Sequence, residues 1–444
     1  MYSEKIKKAL SGIKIGDFLK ITFKEKEYEG KLMPSTELNN PEVIILKLKN
    51  GYNIGLKYLS EMKIQKQPLQ KTSQIKTQNK KTQNQNKITS IKNKPSVSII
   101  TTGGTITSKI DYETGGVTSL ITAEELLSSV PELNEIIEIK DIINPFNRMS
   151  ESMGFQDYIE LSKAVEKELN KTDAVIITHG TDTMHYTAAA LSFVFHEATK
   201  PIILTGAQRS ADRPSSDAFL NLIFSAKIAA SDIAEVGICM HSNSSDGKNY
   251  FIRGTKARKM HTSRRDAFRP INDIPIAEIT KEKIIPLQNY KKKSKKPVKA
   301  KIGFEEKVAL IKVHPESDPS VIDFYLNKGY KGFVLEATGL GQVPLNTRNQ
   351  HKNWLPFIKK AIEKKAIVCF APQTIYGRLN SFVYSQAREF KQAGVVFCED
   401  MLPETALIKL SWLLGIKEKN IEEKMLKNYA GEITTRTKPE TFLY

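Results

Sequence analysis

The chain has 444 residues, 40% of them hydrophobic, which is enough for two or three domains with cores of their own. No apolar run reaches the roughly 20 residues needed to span a bilayer, so no membrane association is expected. Sixty-seven Lys and Arg against 49 Asp and Glu leave a net charge of +18. That excess suits a polyanionic partner such as nucleic acid, although lysine is abundant throughout.

Residues 1–63 read as a small β domain. Leu19, Ile21 and Phe23 alternate with Lys20, Thr22 and Lys24, the period of a half-buried strand. Residues 43–48 form a second apolar run. Asn50-Gly51 follows, ahead of alternating Tyr52, Ile54 and Leu56, which is a strong hairpin signal. Short strands at this density predict an SH3-like β-barrel. Residues 64–94 are Lys, Gln, Asn and Thr with almost no large apolar side chains, and no acid occurs between Met62 and Ile110. Such a segment cannot bury a core and is expected to be a basic flexible linker.

From Pro95 onward, apolar runs alternate with longer amphipathic stretches, which predicts a doubly wound α/β domain over 95–302. Its expected strands lie at 97–101, 174–178, 201–204 and 236–240. The lysine-rich break Lys291-Lys-Lys-Ser-Lys-Lys-Pro297 reads as an exposed loop. Runs at 308–313, 332–335, 366–370 and 394–398 then predict a smaller α/β domain over 303–425, with a tail at 426–444. Cys239, Cys369 and Cys398 are scattered, two of them inside apolar runs, and the seven histidines have no ligand spacing. No disulfide framework, metal centre or Walker-type phosphate loop is therefore expected. The opening Met-Tyr-Ser-Glu-Lys-Ile-Lys-Lys has no signal-peptide core, and a reduced, cytoplasmic protein is expected.

Two stretches carry chemistry: Ser98-Ile-Ile-Thr-Thr-Gly-Gly-Thr-Ile-Thr107 and Ala174-Val-Ile-Ile-Thr-His-Gly-Thr-Asp-Thr183. Each is a buried-strand pattern ending in hydroxyl residues and glycines, at the sheet edge where open α/β folds bind ligands. Glycines such as Gly104 let a substrate approach the backbone, and backbone N–H groups of these turns can hold a developing oxyanion. Thr105, Thr181 and Asp182 supply hydroxyls and a carboxylate, with no adjacent catalytic His or Cys, which points to a threonine nucleophile.

The two stretches resemble the signature motifs of the asparaginase/glutaminase amidohydrolases, Thr-Gly-Gly-Thr-Ile and His-Gly-Thr-Asp-Thr, and the likeness runs from about Val97 to Leu414. It implies an asparaginase-like α/β fold, a covalent acyl-threonine and release of ammonia. It also implies roles residue by residue. Thr105 takes the nucleophile's place; Tyr112, shortly before Gly115-Gly116, sits where the family has a lid tyrosine; Thr181 and Asp182 match the second hydroxyl and its carboxylate. Two lysines compete for the family's lysine. Lys259 stands nine residues before Phe268, the family's spacing, and Lys256 does not. A Thr–Lys–Asp relay would let a desolvated lysine accept a proton. Which threonine attacks first is left open by the residues themselves. Ser150 and Glu151, with Asp182, match the grip on the α-carboxylate and α-amine of an amino acid, although Ser150-Glu-Ser-Met also fits a helix-capping box. His179 reads as structural.

The first segment adds a finer likeness. Tyr28-Glu-Gly-Lys-Leu-Met-Pro-Ser-Thr-Glu-Leu38, Gly206-Ala-Gln-Arg-Ser-Ala-Asp-Arg-Pro-Ser-Ser-Asp217 and Gly431-Glu-Ile-Thr-Thr-Arg436 resemble the D subunits of archaeal glutamyl-tRNA(Gln) amidotransferases. Lys256-Ala257, where arginine and valine would be expected, departs from that pattern. The resemblance implies hydrolysis of L-glutamine and delivery of ammonia to the amidotransferase E subunit, which amidates Glu-tRNA(Gln) using ATP and Mg. It implies no cofactor bound by this chain and a homodimer within a heterotetramer. The alternative is a stand-alone cytosolic L-asparaginase or glutaminase.

Overall fold

The computed structural model describes residues 2–24, 26–35, 40–48, 53–67, 94–103, 108–110, 117–119, 130, 132–209 and 216–443. The alternation at Leu19 and Ile21 builds β1 (Phe18–Phe23), which pairs antiparallel with β2 (Lys26–Leu32). β3 (Val43–Leu48), β4 (Asn53–Lys57) and β5 (Lys63–Lys66) complete a five-stranded antiparallel sheet of order β4-β3-β2-β1-β5. Leu19, Ile21, Leu32, Ile44 and Leu46 bury one face of it against Ile6 and Leu10 at the short helix Glu4–Ala9, which the pattern of the sequence had not indicated. Ile64 stands opposite Ile21, so this sheet runs to Lys66, past the boundary expected at 63. The Asn50-Gly51 turn and residues 68–93 of the expected linker lie outside the described residues.

The central sheet is built from β6 (Ser96–Thr101), β9 (Glu138–Ile143), β10 (Ala174–Thr178), β11 (Ile202–Thr205) and β12 (Val236–His241), with β7 (Ser108–Ile110) and β8 (Val117–Ser119) forming a separate antiparallel pair. β9, β6, β10, β11 and β12 run parallel in that spatial order. β13 (Lys248–Arg253), β16 (Ala277–Thr280) and β17 (Ile284–Pro286) extend it antiparallel. β14 (Ala257–Lys259) and β15 (Phe268–Pro270) make a hairpin of their own. Every residue of β10 is buried. Val175 and Ile177 face the core shared with the helices Phe155–Leu169 and Met184–Val194, while Ala174 and Ile176 face the helix Ala218–Ala230. Burial on both faces is why these strands read as continuous apolar runs. The charged β9 and the antiparallel extension, polar at their ends, gave no such signal.

From β6 the chain crosses to β9 on one side and returns to β10 on the other. The crevice between the carboxyl ends of β6 and β10 is thus the topological switch point of the sheet. The strands that open the two signature motifs both end there.

β18 (Val308–Lys312), β19 (Gly332–Ala337), β20 (Ile367–Pro372) and β21 (Val396–Phe397) form a smaller parallel sheet in chain order. The helix Pro403–Gly415 then packs back on Met184–Val194, with Trp412 stacked on Phe193 at 5.6 Å, so the two α/β units share a core. Residues beyond 426 are tied down: Glu432 pairs with Lys409 at 2.6 Å with both side chains fully buried. The lysine-rich break is largely exposed, but Lys293 is half-buried and donates to the Ala229 carbonyl.

Candidate active site

Parallel register sets Thr101 beside Thr178, and Thr102 N–H donates to the Thr178 carbonyl at 3.1 Å. The two motif turns leave the sheet side by side. Gly103 has a φ of +108°, and a Cβ there would lie 2.6 Å from the Arg148 carbonyl oxygen, so only glycine fits this turn. Gly104, Thr105 and Tyr112 lie outside the described residues.

On the β10 side, Lys259 Nζ donates to Thr181 Oγ1 at 3.0 Å and to Asp182 Oδ1 at 2.7 Å. Thr181 and Lys259 are nearly buried, whereas the Asp182 side chain is 63% exposed. A hydroxyl, an ammonium and a solvent-facing carboxylate therefore converge at the switch point. Lys256 goes elsewhere. Its Nζ is buried and donates to Asp400 Oδ2 at 2.8 Å. Lys259 closes β14 and reaches the turn that follows β10, whereas Lys256 lies just outside the hairpin and reaches the second unit.

Ser150 joins the same crevice. Thr183 Oγ1 donates to its carbonyl at 2.6 Å, and a Cβ on Gly180 would come within 2.9 Å of Ser150 Oγ. Ser150 Oγ is buried with no hydrogen-bond partner among the described residues. It does not cap the following helix, which Gly154 and Asp157 cap instead, Gly154 N–H donating to Asp157 Oδ2 at 2.8 Å. Glu151, next to it, is exposed.

His179 is fully buried beneath these groups. Gly180 O can only accept, so His179 Nδ1–H donates to it at 2.6 Å, and Nε2 then accepts from the Thr187 hydroxyl at 2.9 Å. Burial pushes the His179 pKa down to about 4; burial, helped by Arg258 and Lys259, pushes His185 down to about 3. Both stay neutral in the fold while the unfolded chain protonates near 6.5. Their contribution to stability is complete above pH 6.5 and is lost as pH falls through 6.5 toward 4 and 3. Each costs on the order of 2 kcal/mol by about pH 5. Thermal melts from pH 7.5 down to 5 check this: His185→Gln should flatten the acid slope, and an unchanged slope refutes the assignment.

Among the described residues, no cluster of His, Cys, Asp or Glu could hold a metal ion, and no helix is long and apolar enough to cross a membrane. The sequence assigned no role to Arg258, Asp400 or Glu404; across the junction of the two units Arg258 pairs with Glu404, and Asp400 with Lys256. Partners such as Lys256 and Asp400, 144 positions apart, leave no local signal.

Residues 96–292 match the family described as asparaginase, N-terminal, and residues 307–425 match the glutaminase/asparaginase C-terminal domain. Residues 13–66 match the GatD N-terminal domain. The chain is 48% identical over 441 residues to the D subunit of glutamyl-tRNA(Gln) amidotransferase from Pyrococcus furiosus, a match covering 97% of this chain and 98% of that protein. The chain belongs to the family of glutamyl-tRNA(Gln) amidotransferase D subunits. Among solved structures it is similar to the thermostable L-asparaginase of Thermococcus kodakarensis (26% identity, TM-score 0.67) and to L-asparaginase I of Vibrio cholerae (30%, 0.66), each match covering 77% of this chain and 100% of the other. Those asparaginases are matched whole by part of this D-subunit chain, and the family-specific first sheet is a further element.

Proposed function

We propose that this chain is the glutaminase subunit of a tRNA-dependent amidotransferase. The observation that carries this reading is the Lys259–Thr181–Asp182 cluster at the switch point of an asparaginase-type sheet, in a chain matching amidotransferase D subunits over nearly its whole length. Thr105 is the nucleophile. Its oxygen adds to the side-chain carbonyl of glutamine, the C–N bond breaks, and the amide nitrogen leaves as ammonia with the hydroxyl proton. Water then cleaves the acyl-threonine ester to glutamate and free Thr105. Thr181 and Lys259 form the proton path, and Asp182 holds the lysine ammonium. Ser150 Oγ, buried and unpartnered among the described residues, offers a hydrogen bond to the substrate α-carboxylate. Glu151 and Asp182, both exposed, present carboxylates to its α-ammonium. Gly104 and Tyr112 take the substrate-binding and lid-tyrosine roles that the family resemblance gives them.

The ammonia serves a partner, the amidotransferase E subunit. That partner uses ATP with Mg to activate the glutamate of misacylated Glu-tRNA(Gln) and amidates it. This chain binds no cofactor of its own and works in the cytoplasm as a homodimer within a heterotetramer. The likeness to L-asparaginase structures supports a second reading, a free-standing amidase.

Coupling separates the two. The chain should be nearly idle alone and switch on with the E subunit and Glu-tRNA(Gln), because ammonia released without an acceptor wastes glutamine. Such a shift needs differential binding of about 1.4 kcal/mol for each tenfold in rate. Glutaminase rates are measured for the chain alone, with the E subunit, and with the E subunit plus Glu-tRNA(Gln). A full rate from the chain alone, unchanged by either addition, favours the free-standing amidase.

A further inference from the structure

Among the described residues β14 and β15 pair as strands only with each other, so Lys259 is not hydrogen-bonded into the eight-stranded sheet as part of a strand ladder. Apolar packing holds part of the hairpin, with Ala257, Ala267 and Phe268 buried in the main core, and charge holds another part. Lys256, just before β14, is buried on Asp400, and Arg258 Nε lies 3.4 Å from Glu404 Oε1. Both acids come from the short connection between β21 and the helix Pro403–Gly415 and the first turn of that helix. Asp400 is itself held, accepting from Thr434 N–H at 3.0 Å and from the Thr434 hydroxyl at 2.6 Å.

Glu404 also faces the other catalytic segment. His185 Nε2 is 4.0 Å from the same Oε1, and His185 stands in the first turn of the helix that begins directly after Thr181, Asp182 and Thr183. This Oε1 is buried without a hydrogen bond among the described residues. It lies between a guanidinium one residue before Lys259 and an imidazole three residues after Asp182.

We infer that Glu404 is a positioning residue for Lys259, setting the hairpin that carries the lysine against the turn that carries Thr181 and Asp182. The inference rests on the amide-hydrolase reading above. The Glu404 carboxyl faces the Arg258 guanidinium in a water-poor junction, and parting the two segments would leave both groups buried or half-buried without each other. Two hydrogen bonds of 3.0 and 2.7 Å at Lys259 leave little room for drift. A misplacement of about 1 Å at such a site costs on the order of 100-fold in rate.

The test uses Glu404→Gln, Arg258→Met and the double variant in the full chain assembled with its amidotransferase partner and tRNA. Ammonia release is followed with glutamine and, in parallel, with asparagine. Each single variant should lower kcat by about 10- to 100-fold with KM within about threefold. The double variant should be no worse than the worse single, since both break one contact. Arg258→Lys, which keeps a cation opposite Glu404, should recover part of the rate. Because Arg258 is partly exposed, Arg258→Met reports on positioning even where Glu404→Gln folds poorly. A wild-type kcat in Arg258→Met, or losses that multiply in the double variant, overturns the inference while leaving the amide-hydrolase reading intact. A wild-type complex inactive on both amides overturns that reading and the inference with it.

Discussion

Lys259→Met should lower glutamine hydrolysis by about 1,000-fold or more, the scale of losing a positioned proton-transfer group. The substitution removes the contacts between Lys259 and Thr181 and Asp182, at 3.0 and 2.7 Å. The fold should tolerate it, because the Asp182 carboxylate left behind is 63% exposed and can be hydrated. Lys256→Met should do something different. It leaves Asp400, which is 1% exposed, with Thr434 and Arg378 but without its lysine. Removing one partner of a buried pair costs about 3–5 kcal/mol, so this variant loses melting temperature. Steady-state rates and thermal melts of the two variants, measured together, decide the matter. A large rate loss in a well-folded Lys256→Met beside an active Lys259→Met would reverse the assignment.

Thr105→Ala should abolish glutamine hydrolysis outright, since no covalent intermediate can form without the attacking oxygen. Losing one hydroxyl should leave the fold unchanged. Amidation of Glu-tRNA(Gln) by the complex should then survive when free ammonium is supplied, because only the nitrogen source has been removed. Two measurements are needed: ammonia release from glutamine, and Gln-tRNA(Gln) formed with ammonium chloride. Near-normal hydrolysis would move the attack to Thr181. Loss of the ammonium-dependent reaction as well would mean that Thr105 serves the interface with the partner rather than the bond-breaking step.

The central strands were legible because their chemistry is local. Ala174 to Thr178 is buried on both faces, so its apolar run marked the strand without any knowledge of its neighbours. Leu19 and Ile21, with one face covered, alternated as a half-buried strand must. Less visible were β9, where Glu138, Lys140 and Asp141 dilute the apolar signal, and the antiparallel strands β13, β16 and β17. The short helix Glu4–Ala9 escaped notice too, having a single fully buried side chain, Ile6.

The same division holds at the site. The sequence alone determined which residue types could do the chemistry, because a threonine after a Gly-Gly turn and a Thr-Asp pair at a strand end are local patterns. The family resemblance added the preference for Lys259 over Lys256, through the family's spacing of nine residues to a phenylalanine, here Phe268. Those two residues, Lys259 and Phe268, prove to be cross-strand partners in one hairpin. What only the tertiary structure decided was where each charge ends. Lys256 and Lys259 are three residues apart, yet one reaches Asp400 in the second unit and the other Asp182 at the switch point. The burial of Ser150 Oγ and the seat of Glu404 between Arg258 and His185 were settled in the same way. These are long-range contacts: a side chain's partner is set by which surfaces the packed sheets and helices bring together, and sequence proximity carries no record of that.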